Sequence, residues 1–253
     1  MWVLLLSLAA APAVVRAAFA TPPIARQVPT EDPDRLYADR VHLDSARRAV
    51  AIWEERLSRN PADFEAAWKV ARGSYWLGGH VPPGERRSQY ERGVEAGRRA
   101  VAIDPHRPEG HFWMAANMGA LAESFGLRQG LKYRRAIKDA LETVRRIDPA
   151  FQQGSADRAL GRWYFKVPAF AGGSKQRALE HLERSLAYNP NSTASRYFLA
   201  EVLLALDRRT DAATELERVL DAPLDPEWTP EDLEFKDKAR KLLATLASGR
   251  TRR

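Results

Sequence analysis

The side chains that could do chemistry are few in kind. Five histidines (His42, His80, His106, His111 and His181) are scattered along the 253 residues, and there is no cysteine. That rules out a thiolate nucleophile, an iron–sulfur cluster, a disulfide framework and a cysteine zinc site. His106 and His111, with Glu109 between them, form H-x-x-E-x-H around Pro108. Two ligands five residues apart across a proline do not share one helical face, as the H-E-x-x-H metal motif requires. His111, close to a predicted helix start, fits a structural hydrogen-bonding role. Ser174 follows Gly172-Gly173 at another predicted helix start, where free backbone amides could hold an anion. Neither the G-x-x-x-x-G-K-[ST] phosphate loop nor the G-x-S-x-G elbow is present. Acidic residues are plentiful without forming a distinctive pair. No catalytic residue, metal or cofactor emerges, and the chain reads as non-enzymatic. What remains is recognition chemistry, carried by large aromatics and by Arg158 and Arg162, one helical turn apart. A guanidinium can grip a carboxylate through two parallel hydrogen bonds, and a rigid ring gives contact area at low entropic cost.

Such residues need a framework, and prolines mark it. Asn60-Pro61, Asp104-Pro105, Asp148-Pro149 and Asn189-Pro190 follow one another at 44, 44 and 41 residues, and Asp225-Pro226 comes 36 later. Proline disfavours the helical conformation in the residue before it, yet is tolerated in the first turn of the next helix. An Asp or Asn ahead of it is expected to cap that turn. Between the marks, apolar residues recur at three and four: Ala178, Leu182 and Leu186; Leu199, Leu203 and Leu206; Ala212, Leu216, Val219 and Leu220. Alternating β-branched runs are absent. The spacing predicts an all-α chain of about ten helices. Its units are about 33–61, 62–105, 106–149, 150–190 and 191–226, with a capping helix over 230–247 and a basic tail at 248–253. Gly- and Pro-rich stretches at 78–84, 126–130 and 167–173 lengthen the turns, and Ser174 is expected to cap the helix after the last of them.

The N-terminus stands apart. An apolar run over 2–15 ends in Ala18-Phe19-Ala20, followed by Thr21-Pro22-Pro23. This reads as a signal peptide over residues 1–20, followed by an extended segment over 21–32, and so as a periplasmic protein. The alternative is an uncleaved N-terminal segment that anchors the chain to a membrane. The net charge is +7. Its basic residues lie beside acids along the helices, which reads as a solvated surface and not a nucleic-acid partner.

The repeat resembles the tetratricopeptide repeat. Leu160-Gly161-x-x-Tyr164 matches its first-helix signature, Ala178, Leu182 and Ser185 its second, and Pro190 its closing proline. Gly110-His111-Phe112-Trp113-Met114-Ala115-Ala116-Asn117 and Arg158 to Tyr164, with Val167-Pro168 and Gly172-Gly173, go further. They look like two families: the T component of tripartite ATP-independent periplasmic (TRAP) transporters, and bacterial relatives of the regulators of microtubule dynamics. Between them these resemblances imply a right-handed α–α superhelix. The first also implies a periplasmic location and a solute-binding subunit as partner. The lipoprotein members of that family carry a cysteine that this chain lacks.

In stacked hairpins the first helices line the concave face. Counting one turn at a time along them gives a groove of Trp68, Arg72 and Tyr75; Phe112, Ala116 and Gly119; Arg158, Arg162 and Phe165; and Tyr197, Glu201 and Leu204. The expected function is a protein–protein interaction adaptor or scaffold, holding an extended peptide or partner helix. The T-component resemblance would make it an accessory of a TRAP-type solute transporter. The alternative is a direct binder of a small anionic or amphiphilic ligand in an enclosed helical cavity. Trp68, Trp113 and Trp163 equally fit packing between helices.

Overall fold

The computed structural model describes residues 31–250. The signal-peptide reading, most of the extended segment and the last three residues of the tail lie outside them. Among the described residues there are eleven α-helices, one 3-10 turn and no strand. The helices are α1 (Pro33–Ala38), α2 (Leu43–Arg59), α3 (Phe64–His80), α4 (Pro83–Ile103), α5 (Pro108–Ser124), α6 (Leu127–Ile147), α7 (Phe151–Lys166), α8 (Lys175–Tyr188), α9 (Thr193–Ala205), α10 (Arg209–Asp221) and α11 (Thr229–Arg250). The 3-10 turn, Ala169–Ala171, lies between α7 and α8. Each helix packs on the next. The first helices of successive hairpins, α3, α5, α7 and α9, also touch one another. The result is an α–α superhelix with those four helices on its inner side.

The five Asx-Pro marks share one local geometry. Asn60, Asp104, Asp148, Asn189 and Asp225 each accept the backbone N–H two residues on, at 3.2, 3.0, 2.9, 2.9 and 2.9 Å. The first four are also the C-cap residues of α2, α4, α6 and α8. They therefore close a turn between helices, whereas the sequence led us to expect them to cap the next helix. A side-chain oxygen two residues from an amide closes an Asx-turn, and proline fixes the bend that brings them together. The caps lie further on. Asp63 accepts from Ala66 N–H at 2.9 Å, and Ser192 from Ser195 N–H at 3.2 Å. Ser174 caps α8 through Arg177 N–H at 3.3 Å.

Small residues set how closely the helices cross. A Cβ on Gly161 would lie 2.6 Å from Leu182 Cγ, so α7 and α8 meet at that glycine. Asn117, fully buried in α5, donates to Ala71 O of α3 at 3.0 Å and to Trp113 O at 2.8 Å. The first of these bonds ties one hairpin to the next. Around these crossings runs a continuous apolar core, from Trp53 and Leu77 through Leu121, Leu141 and Leu160 to Leu182 and Leu216.

The start of α7 departs from the helical pattern. Gln152, Gln153 and Gly154 have φ of +43°, +59° and +76°. Glycine adopts this region freely, but the two glutamines do so at a cost of order 1 kcal/mol each. Gln153 is held there through its side chain, bonded to Asp225 and Asn189.

Candidate concave cavity

The inner helices and the turns that join them surround a cavity of about 1300 Å3. Tyr75, Phe112, Ala116, Gly119, Arg158, Arg162, Tyr197 and Glu201, all read as groove residues, line it together. Trp113 and Trp163 line it as well. Trp68 and Arg72 do not. They line a second recess of about 440 Å3, shared with Tyr37 and Arg40. The physical reason is the segment leading into α11. Pro226 and Trp228 border both spaces, so this segment divides the concave face in two. Arg72 is occupied there, its guanidinium 4.3 Å from the Tyr37 ring, 4.9 Å from the Trp68 ring and 3.7 Å from Glu227. Phe165 lines neither space and packs against the core beneath Lys166. Leu204 packs there too.

The two arginines read as a pair have different surroundings. Arg162 is engaged by its own chain: Nε and Nη2 donate to Glu123 at 3.0 and 2.8 Å, and Nη1 donates to Glu201. It links α5, α7 and α9, and its guanidinium lies 4.6 Å from the Phe198 ring. Burial acts to lower its pKa, but the two carboxylates more than offset this and hold it above its usual value. Arg158, one turn earlier, has no hydrogen bond or ion pair among the described residues. Burial pushes its pKa down to about 10, against the opposing fields of Tyr75 and Asp232. It stays protonated at neutral pH. Asp232 acts on it only through its field: no hydrogen bond or ion pair joins the two, and the Asp232 oxygens accept from Thr193 Oγ1 at 2.5 Å and from Asp225 N–H at 2.8 Å. Among the described residues Arg158 is thus a cavity-lining cation with neither hydrogen bond nor ion pair, and aromatic side chains, Gln152 and Gln153 share that lining.

Sequence reasoning missed α11 as a wall. Trp228, Glu231, Asp232, Phe235 and Lys238 all face the cavity. Their spacing of three, four, seven and ten from Trp228 is one helical face, and that signal was available in the sequence. α11 packs on α9 and α10 and reaches the N-terminal helices through polar side chains. Arg40 donates to Glu231 at 2.5 Å and to Glu227 O at 2.7 Å. His80 Nδ1 faces Trp76 O at 2.7 Å and Nε2 faces Glu234 at 2.5 Å. With acceptors on both ring nitrogens, the doubly protonated imidazolium is the form that satisfies the site.

That geometry has a pH consequence. Burial acts to lower the His80 pKa, but Glu234 and the Trp76 carbonyl raise it above its usual value, with Glu231 adding to the effect. Burial likewise acts to raise Glu234, yet His80, Lys238 and Arg40 hold it below the usual carboxylate range. A raised histidine contributes stability fully below its unfolded pKa and loses it as pH rises through the folded one. A lowered carboxylate contributes above its unfolded pKa and loses it as pH falls through the folded one. The ion pair therefore stabilises most between the two. Thermal melts of the wild type and H80Q between about pH 6 and 9 should converge as pH rises, because only the wild type loses this pair. Parallel melting curves would show that His80 does not titrate with folding.

No group of three or more His, Asp or Glu side chains among the described residues could hold a metal ion. His111 Nε2 lies 2.9 Å from Pro105 O, a structural hydrogen bond.

The family model for regulator of microtubule dynamics protein 1-3 matches residues 33–247. The chain belongs to this family. Of the two resemblances seen in the sequence, the match is to the second. The regulator of microtubule dynamics match spans the whole helical array, from α1 through most of α11. Among solved structures, the thermophilic TPR protein TTC0263 of Thermus thermophilus is similar at a TM-score of 0.63 and 23% identity, covering 84% of this chain and 97% of that one. MamA is similar at a TM-score of 0.50 and 14% identity, covering 83% and 98%. At these identities the likeness establishes the tetratricopeptide-like fold. A search of curated proteins finds no match.

Proposed function

We propose that this chain is a non-enzymatic interaction scaffold that holds an acidic segment of a partner protein on its concave face. The observation that carries this reading is Arg158, a protonated guanidinium with no hydrogen bond or ion pair among the described residues, in a cavity of about 1300 Å3 that Tyr75, Phe112, Tyr197 and Phe198 also line. A desolvated unpaired charge destabilises a fold, so its presence is best accounted for by something it binds. The tetratricopeptide-like fold supports the same class of function.

A second reading is favoured by α11. Because that helix walls in the concave face, the cavity also suits a small anionic amphiphile, with its charge on Arg158 and its apolar part against the rings. The finer parts of the proposal are export to the periplasm, with cleavage before Thr21, and a solute-binding transporter subunit as the partner. N-terminal sequencing of the mature protein tests the first. Capture from periplasmic extract tests the second.

The discriminating experiment is Arg158→Met. It should leave thermal stability unchanged or raised by about 1 kcal/mol, because it removes an uncompensated charge. It should weaken capture of the partner by at least about tenfold, the worth of one charge-assisted hydrogen bond. Native mass spectrometry of the purified chain separates the two readings: a stoichiometric small acid lost in R158M favours the amphiphile. Unaltered capture by R158M would remove Arg158 from the site.

A further inference from the structure

Basic charge and exposed apolar surface coincide along one edge of the superhelix. From Leu127 to Lys138, α6 carries Arg128, Lys132, Arg134, Arg135 and Lys138 and no acidic residue. Arg128, Lys132 and Arg135 are exposed and spaced by four and three, which makes them one stripe. The first carboxylate along that stripe is Asp139, at its far end. None of the five basic groups has an ion pair among the described residues. Elsewhere many arginines are held by carboxylates, as in Arg56–Asp63 and Arg196–Glu215. An ordinary solvated surface mixes the two signs, and this one does not.

Leu127 at the start of α6 is 59% exposed, and Phe170 in the 3-10 turn is 82% exposed, the most exposed large apolar side chain among the described residues. The Phe170 loop sits beside α6. Trp163, at the end of α7, donates its indole N–H to Arg134 O at 2.8 Å, and Lys138 Nζ lies 5.5 Å from the Trp163 ring. A Cβ on Gly172, two residues after Phe170, would meet the same indole at 3.6 Å. The loop is fixed by its own backbone: Gly173 N–H donates to Pro168 O at 3.1 Å and Ser174 N–H to Tyr164 O at 2.8 Å. Phe170 is thus presented on a built loop.

We propose that this edge docks on an anionic membrane surface, with the α6 stripe against lipid headgroups and Phe170 and Leu127 inserted beneath them. Juxtaposed basic and apolar groups bind such surfaces jointly, by attraction to anionic lipid and by burial of the apolar side chains. Nucleic acid would use the stripe but gain nothing from the two exposed apolar residues. Leu127 also lines the concave cavity, whereas Phe170 and the three stripe residues do not, so the test is read at Phe170 and the stripe.

The chain has no cysteine, so Phe170→Cys provides a single site for an environment-sensitive fluorophore. In the full-length protein this label should respond to vesicles of phosphatidylcholine and phosphatidylglycerol in equal parts, and not to phosphatidylcholine alone. A label at exposed Glu217 on α10 should stay silent. Combining R128E, K132E and R135E should weaken the response at position 170 by at least about a hundredfold, and added salt should weaken it in the wild type. The proposal is overturned if the label ignores both vesicles, responds equally to both, keeps its response after charge reversal, or responds only to an RNA duplex.

Discussion

Replacing Arg40 by Ala should lower the unfolding free energy by about 3–4 kcal/mol, the usual cost of stripping one partner from a buried ion pair. Arg40 is 4% exposed. It serves Glu231, the Glu227 carbonyl and the Tyr37 carbonyl, and its guanidinium lies close to the Tyr37 and Trp76 rings. Without it, Glu231 would sit half-buried with no counter-charge. Burial already pushes the Glu231 pKa above the usual carboxylate range, and Arg40 only partly offsets that. The R40A variant should therefore recover part of its loss when Glu231→Gln is added, since the neutral amide needs no counter-ion. Calorimetry of the wild type, both single variants and the double variant measures this. A melting point for R40A within about 2 °C of the wild type would mean less than 1 kcal/mol at this junction and would sink the prediction.

Arg162→Ala should cost about 2–3 kcal/mol, less than Arg40, because Glu123 is partly exposed and can regain water. The loss has two parts. Glu123 and Glu201 would be left facing one another without the cation between them, and Phe198 would lose the guanidinium packed on its ring. Adding Glu201→Gln to R162A should restore more than half of the loss by ending the repulsion. Urea titration checks both steps. Additive losses for R162A and E201Q would show that the three groups do not act as a unit. R158M provides the contrast, since Arg158 on the same helix should not be needed for stability at all.

Proline marks and apolar spacing were enough to read the hairpin series from sequence, because a helix end depends on residues within a few positions of it. Ala178, Leu182 and Ser185 were legible for the same reason: the small–large–small pattern is the packing surface itself, and Gly161 meets Leu182 as that pattern requires. Arg158 and Arg162 looked alike because pattern alone does not tell what faces a side chain across space. Glu123 and Glu201, each 39 residues from Arg162, decide the difference. Trp68 and Arg72 were counted in register on α3, but the Pro226–Trp228 segment, far later in the chain, screens them from the main cavity. The left-handed turn at Gln152 and Gln153 was hidden because glutamine gives no local warning of positive φ; its cause is the grip of Asp225 and Asn189.

The reach of α11 back to Arg40 alters how the array should come apart. A linear stack in which each unit touches only its neighbours can fray from either end. Here residues 191 positions apart are bonded, and the last helix is fastened to the first turns of the array. Loss of either terminus then exposes the other, so the protein should melt as one cooperative body with evenly slow amide exchange from α1 to α11.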